Sequence, residues 1–144
     1  MRVLRGRAET PAADRDRTRE LLTLTGRTGQ EAIRVWRPHR QIAFGPRDAN
    51  EGGYPDARRA ARRHGFPPVE RTVGGRAVAY TGSTIAFAHF HPVANPRRGV
   101  GDRYREMQAS IALALEAVGV ETFPGEPPDA FCPGNHSLQA EGKL

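Results

Sequence analysis

The spacing of apolar and polar positions changes period several times along the chain, and each change marks an element. Residues 1–30 are rich in Arg, Thr, Asp and Gly, with one short apolar cluster at Leu21-Leu22-Thr23-Leu24. They read as an N-terminal arm carrying a helix near 14–24. Ile33-Arg34-Val35-Trp36 then alternates with the period of two of a half-buried strand. A turn at Pro38-His39 and the return Gln41-Ile42-Ala43-Phe44, closed by Gly45-Pro46, predict a hairpin. Residues 47–54 read as a polar loop.

Pro55 suits a first helical turn, and Gly65 suits the position just past a last one. Together they bound a helix over 55–64. The pattern then returns to strands at 69–72, 77–80 and 84–90, with Gly74-Gly75 as a tight loop between the first two. After a loop at 92–101, Asp102 is expected to cap a helix over 103–118. There Met107, Ile111, Leu115 and Val118 recur on one face, the pattern of a core-facing helix. Gly119 ends it, 121–134 is a Pro- and Gly-rich loop, and 136–140 begins another strand. Strands and helices mix without a regular βαβ alternation, which predicts an α+β fold. Ser137 to Leu144 reads as the first arm of a hairpin without its second, so a truncated product is expected.

Composition narrows the class. A chain of 144 residues and 15.8 kDa is enough for one ordinary domain. No apolar run approaches the roughly 18 residues of a membrane span. The basic start, Met1 to Arg7, has no apolar stretch behind it, so a secretory signal is not expected either. The single cysteine, Cys132, cannot form an internal disulfide, and no zinc-finger spacing exists. The expectation is a soluble, cytoplasmic protein with no metal-ligating set.

The net charge of +6 and a pI near 10.6 raise nucleic-acid binding as a reading. Of the 22 basic residues, however, 21 are arginine, a skew of coding preference more than of a selected patch. The aromatic residues are not interleaved with the arginines in a stacking pattern, and no helix-turn-helix signature is present. Nucleic acid is therefore the weaker reading. The skew also singles out the one lysine, Lys143.

Two stretches carry candidate chemistry. In Arg71-Thr72-Val73-Gly74-Gly75-Arg76-Ala77-Val78, the glycine pair lets backbone N–H groups approach a ligand, and the flanking arginines supply charge for a carboxylate or phosphate. Taken alone, Gly-Gly is equally a hairpin turn. In the second stretch Cys132 lies in a Pro/Gly loop with His136 four residues on and Lys143 eleven on, a composition compatible with a thiolate nucleophile. Taken alone, a lone cysteine is more often a small buried hydrophobe.

The two stretches in this order resemble the lipoate–protein ligase and octanoyltransferase family, whose catalytic domain also resembles that of biotin–protein ligase. The resemblance covers residues 32–144: Arg34-Val35-Trp36, Phe44-Gly45, the Arg71 to Val78 run, the helix at 103–118 and Gly142-Lys143-Leu144. It implies a mixed, largely antiparallel sheet flanked by helices, in a catalytic domain spanning 31–144 and incomplete at its C-terminal end. Arg71, Val73, Gly74, Gly75, Arg76 and Ala77 would line the pocket for the acyl group or its adenylate. Lys143 would stabilise the reacting carbonyl, and Cys132 would accept the acyl group in a transferase or stand by in a ligase. The sequence departs from the family in having Arg76 at a common third glycine and Tyr80-Thr81 where many relatives carry a histidine.

The implied reaction attaches a lipoyl or octanoyl group to a lysine of an acidic acceptor lipoyl-domain protein. The acyl donor is either lipoate or octanoate with ATP and Mg, or an acyl carrier protein. Arg58-Arg59-Ala60-Ala61-Arg62-Arg63 is either a solvated face or a docking patch for that acceptor. The rivals are a non-enzymatic arginine-rich module that binds nucleic acid and a degenerate homologue that binds acyl groups without turnover.

Overall fold

A computed structural model of the chain describes residues 1–128, 130, 134 and 136–140. It divides into two units, Met1–Val93 and Ala94–Leu144. The first opens with strand β1 (Arg2–Arg5) and helix α1 (Pro11–Thr28). Thr10 caps α1, its hydroxyl accepting from the Ala13 N–H at 3.1 Å, and Pro11 fills the first turn, where its missing N–H costs nothing. The helix is seven residues longer than the apolar cluster predicts. Its buried stripe is Asp14, Leu21 and Thr25 with half-buried Thr18, so most of that face is polar.

What α1 buries explains this polarity. β2 (Ala32–Trp36) places Arg34 beneath it, wholly inaccessible to solvent. One Arg34 nitrogen donates to the Asp14 carbonyl and the Thr18 hydroxyl, both at 2.9 Å, while the other pairs with the Asp14 carboxylate. The same carboxylate accepts from the Ala8 N–H at 2.7 Å, and the guanidinium lies 4.2 Å from the Trp36 ring centre. A buried charge is tolerated because it is paired and multiply hydrogen-bonded. Alongside this network Leu21, Ala32 and Phe90 form a small apolar core, flanked by Leu4 and Ala88.

The stretch read as an arm is thus folded onto the following strand: β1 pairs in parallel with β2. β3 (Gln41–Phe44) leads into the short α2 (Pro46–Ala49) and then α3 (Tyr54–Arg63). β4 (Pro68–Glu70), β5 (Val78–Tyr80) and β6 (Ala86–Phe90) follow. Gly65, at φ +73°, lies just past α3 as its sequence position predicts.

Two three-stranded sheets result, ordered β1-β2-β6 and β4-β3-β5. β2 is antiparallel to β6; β3 is parallel to β4 and antiparallel to β5. The expected hairpin of 33–36 with 41–44 does not form, because β2 and β3 belong to different sheets. The linker shows why: His39 Nε2 sits 2.9 Å from the Ala8 carbonyl, while Arg40 donates to the Gly65 carbonyl at 3.1 Å and covers the Phe66 ring. Neighbouring residues are anchored to different elements, so the strands diverge. Alternation identifies a half-buried strand but not its partner.

The second unit holds α4 (Val100–Glu116) and the antiparallel pair β7 (Phe123–Pro124) and β8 (Leu138–Gln139). Gly99, not Asp102, stands at the start of α4; Asp102 lies in the first turn, paired with Arg105. Of the four residues expected to face a core, Met107, Ile111 and Leu115 are half-buried, but Val118 is 73% exposed and lies beyond the helix. The strand expected to be unpaired has a partner, β7, inside the segment read as loop. No helix among the described residues is long and apolar enough to cross a membrane. The architecture is α+β with mixed sheets, as the sequence predicts.

Candidate functional site

β4 and β5 flank β3 instead of pairing with each other, so the segment between them must cross the end of β3. That segment is the glycine loop, residues 71–77, and it is a crossover, not a hairpin turn. It passes directly over Gly45, the residue between β3 and α2. A β-carbon at position 45 would overlap the Gly75 carbonyl oxygen and lie 3.1 Å from its carbonyl carbon. The close approach is possible only because position 45 has no side chain.

The loop is tied at both ends. The Arg71 N–H donates to the Phe44 carbonyl at 3.0 Å, continuing the β3–β4 pairing by one bond. The Arg71 guanidinium then folds back along Gly74 and donates to the Arg76 carbonyl. A β-carbon on Gly74 would sit 3.1 Å from the Arg71 guanidinium carbon, and the φ of Gly74 is +94°. The positive φ favours glycine, and the Arg71 guanidinium would have to move aside for any side chain. Beneath the loop, Asp48 accepts the Gly45 N–H at 2.9 Å and lies 3.8 Å from Arg76.

Of the sequence-predicted site residues, Arg71, Val73, Gly74, Gly75, Arg76 and Ala77 are together on this one loop. Val73 is 73% exposed, Gly74, Gly75 and Arg76 are exposed, and Arg71 and Ala77 are half-buried. The N–H groups of Gly74, Gly75 and Arg76 donate to no described residue. Free backbone donors beside two guanidinium groups suit an anion, a carboxylate or a phosphate. Cys132 and Lys143 lie outside the described residues.

Sequence reading passed over one residue of the second unit. The Glu126 carboxylate accepts from the Gly134 N–H and from the Ser137 hydroxyl. Those two bonds, the hydroxyl first, hold its carboxyl below the usual glutamate range. Nearby, the His136 ring stacks on Tyr104 at 4.8 Å between centres, and Gln108 donates to the Ser137 carbonyl at 2.9 Å. His136, a candidate neighbour of the thiol in sequence, is thus packed on α4. No local pattern announces Glu126, since its partners lie eight and eleven residues on. Gly45 and Asp48 were legible only as Phe44-Gly45 and a polar loop.

A glycine crossover resting on a strand–helix junction, within an α+β fold of mixed sheets, is the arrangement the site presents. Solved structures make the comparison specific. The T. acidophilum protein Ta0514, a proposed lipoate protein ligase with bound lipoic acid, superposes with a TM-score of 0.67 at 20% identity, covering 96% of this chain and 57% of that one. A lipoate-protein ligase A bound with ATP gives 0.67 at 22% identity, covering 97% and 57%. P. falciparum LipL1 in complex with lipoate gives 0.62 at 14%, covering 97% and 40%. The chain has the fold of lipoate–protein ligases and spans a little over half the length of the first two. No protein-family model and no curated protein matches the sequence.

Proposed function

We propose that the chain attaches a lipoyl or octanoyl group to a lysine of an acceptor protein, with the 71–77 loop holding the activated acyl group. The observation that carries this reading is the loop itself: free N–H groups at Gly74 and Gly75 beside Arg71, on a fold shared with structures that bind lipoic acid and ATP. In the ligase route the acyl carboxylate attacks the α-phosphorus of ATP and releases pyrophosphate. The acceptor amine then attacks the carbonyl, and AMP leaves. Charge builds on phosphate oxygens in the first step and on the carbonyl oxygen in the second. The unpartnered glycine N–H groups, with the Arg71 guanidinium beside them, suit such charge, and Lys143, by resemblance, adds a cation to it. Asp48 is committed to Gly45 and Arg76, so the carboxylate touching the loop is no ready magnesium ligand, and no step is assigned to that ion.

The transferase route differs in one residue. Cys132 would take the acyl group as a thioester from an acyl carrier protein and pass it to the acceptor amine. The test is mass spectrometry of an acidic lipoyl-domain acceptor incubated with the protein and either lipoate plus ATP or octanoyl carrier protein. A lipoyl or octanoyl mass on the acceptor lysine, lost in Arg71→Ala, is the expected result. An ATP requirement retained in Cys132→Ser assigns the ligase route. A hydroxylamine-labile octanoyl mass on the protein itself, absent from Cys132→Ser, assigns the transferase. No mass on the acceptor from either donor would overturn the proposal.

A further inference from the structure

Three residues away from the glycine loop combine metal-ligand chemistry with a polar atom that the fold leaves unsatisfied. β6 carries His89, and His91 follows it two positions on. The period of a strand therefore sets both on the face opposite Phe90. Phe90 is buried in the apolar core with Leu21 and Ala32, so the two histidines face away from that core. The β2–β6 register aligns Ala32 with Phe90, which brings Glu31, one residue earlier, opposite His91. The Glu31 carbonyl accepts the Arg2 N–H at 2.9 Å, so β1 fixes its backbone.

Side-chain geometry follows that placement. The Glu31 carboxylate contacts His91 Nδ1, and the two imidazole rings are tilted with centres 5.7 Å apart. The ligand atoms of Glu31, His89 and His91 all lie within 4.8 Å of one another. A carboxylate–histidine ion pair would account for Glu31 and His91 but not for His89. Its Nε2 is buried and has no hydrogen-bond partner among the described residues. A buried polar atom left unpaired destabilises the fold, and a ligand that satisfies it offsets that loss.

We propose that Glu31, His89 and His91 bind a divalent transition-metal ion of the zinc class. The two imidazole nitrogens are borderline donors that suit zinc and not magnesium or calcium, and two histidines with one carboxylate is a known zinc ligand set. Three protein ligands leave the fourth tetrahedral position open to water. A bound ion would draw ligand atoms at these separations in by side-chain rotation, onto bonds of about 2.0–2.2 Å. The site is independent of the acyl chemistry, since it uses none of the residues assigned to the loop.

The experiment is equilibrium dialysis of the EDTA-stripped protein against zinc chloride, with magnesium chloride in excess. One zinc per chain, undisplaced by magnesium, is expected. His91→Ala, an exposed position, and Glu31→Gln should each weaken binding at least ~100-fold, beyond the usual loss of an outer-shell partner. His89→Ala should do the same, and melting curves in EDTA should match the parent for His91→Ala. Zinc should raise the melting temperature of the parent and not of His91→Ala. Cys132→Ser should bind as tightly as the parent. The proposal is overturned if no zinc binds, if magnesium displaces it, or if Cys132→Ser abolishes binding while His91→Ala does not.

Discussion

The carbonyl oxygen of Gly75 occupies the space that the β-carbon of any other residue at position 45 would fill. The end of β3 and the crossover above it are thereby locked together, and the exposed N–H groups of the loop depend on that seat. Gly45→Ala should force the loop outward and cost about 1–3 kcal/mol, the scale of overpacking a close contact. Urea unfolding checks the stability, and binding of a carboxylate or nucleotide ligand checks the loop. Gly74→Ala should weaken that binding as well, through both its φ of +94° and the Arg71 guanidinium lying against it.

The Asp14–Arg34 pair makes a separate prediction about the folding of the first unit. Removing one partner leaves the other charge buried and unpaired, which costs about 3–5 kcal/mol. Asp14→Ala and Arg34→Ala should each therefore destabilise strongly in urea unfolding. Asp14→Leu combined with Arg34→Met should be less destabilised than either single alanine variant, since no uncompensated charge remains. Equal or greater loss in the double variant would show that hydrogen bonds to Thr18 and Ala8, not charge pairing, dominate the site.

These two relationships show what the sequence makes legible. α3 could be read because Pro55 and Gly65 punctuate it chemically. The length of α1 could not be read from apolar spacing, because its buried face is Asp14, Thr18, Leu21 and Thr25, built to receive Arg34. The signals that do mark it, Thr10-Pro11 before and Gly29 after, are local. The glycine pair was legible as a loop between two strands, but its crossover path depends on which strands pair. Glu126 and the Glu31–His89–His91 cluster were not legible at all, since contacts eight to sixty residues apart leave no periodic trace.

The carboxyl of Glu126 lies below its ordinary value because its charged form holds the Ser137 hydroxyl and the Gly134 N–H. Its pKa is lower folded than unfolded, so the stabilisation is fully present above the ordinary glutamate value. It is lost as pH falls through the depressed one. The amide resonance of Gly134 should report that titration in an NMR pH series, with a midpoint below that of free glutamate. Glu126→Gln should abolish the step. A Gly134 midpoint at or above the ordinary glutamate value would contradict the pairing.

The arginine run on α3 divides by the partners of its side chains. Arg58 lies 3.6 Å from the Glu70 carboxylate and packs against Tyr54, and Arg59 pairs with Asp56. Tyr54 donates to Glu70 at 2.6 Å, and burial first, then that carboxylate, pushes its hydroxyl pKa up. Arg62 and Arg63 are exposed on the same helix and pair with no described carboxylate. Under the proposed function, these two cations are the ones left to steer an acidic acceptor, whereas Arg58 and Arg59 pair within the helix and with β4. Arg62→Glu with Arg63→Glu should therefore raise the KM for an acidic lipoyl-domain acceptor about tenfold or more and leave kcat near the parent value. Rim charges act mainly on encounter, so the parent's advantage should also shrink as salt rises. The matching change at Arg58 should instead lower the melting temperature, because it strands Glu70 beside Tyr54. An unchanged KM in the Arg62/Arg63 variant at low salt would leave the run as a solvated face and place acceptor docking elsewhere on the chain.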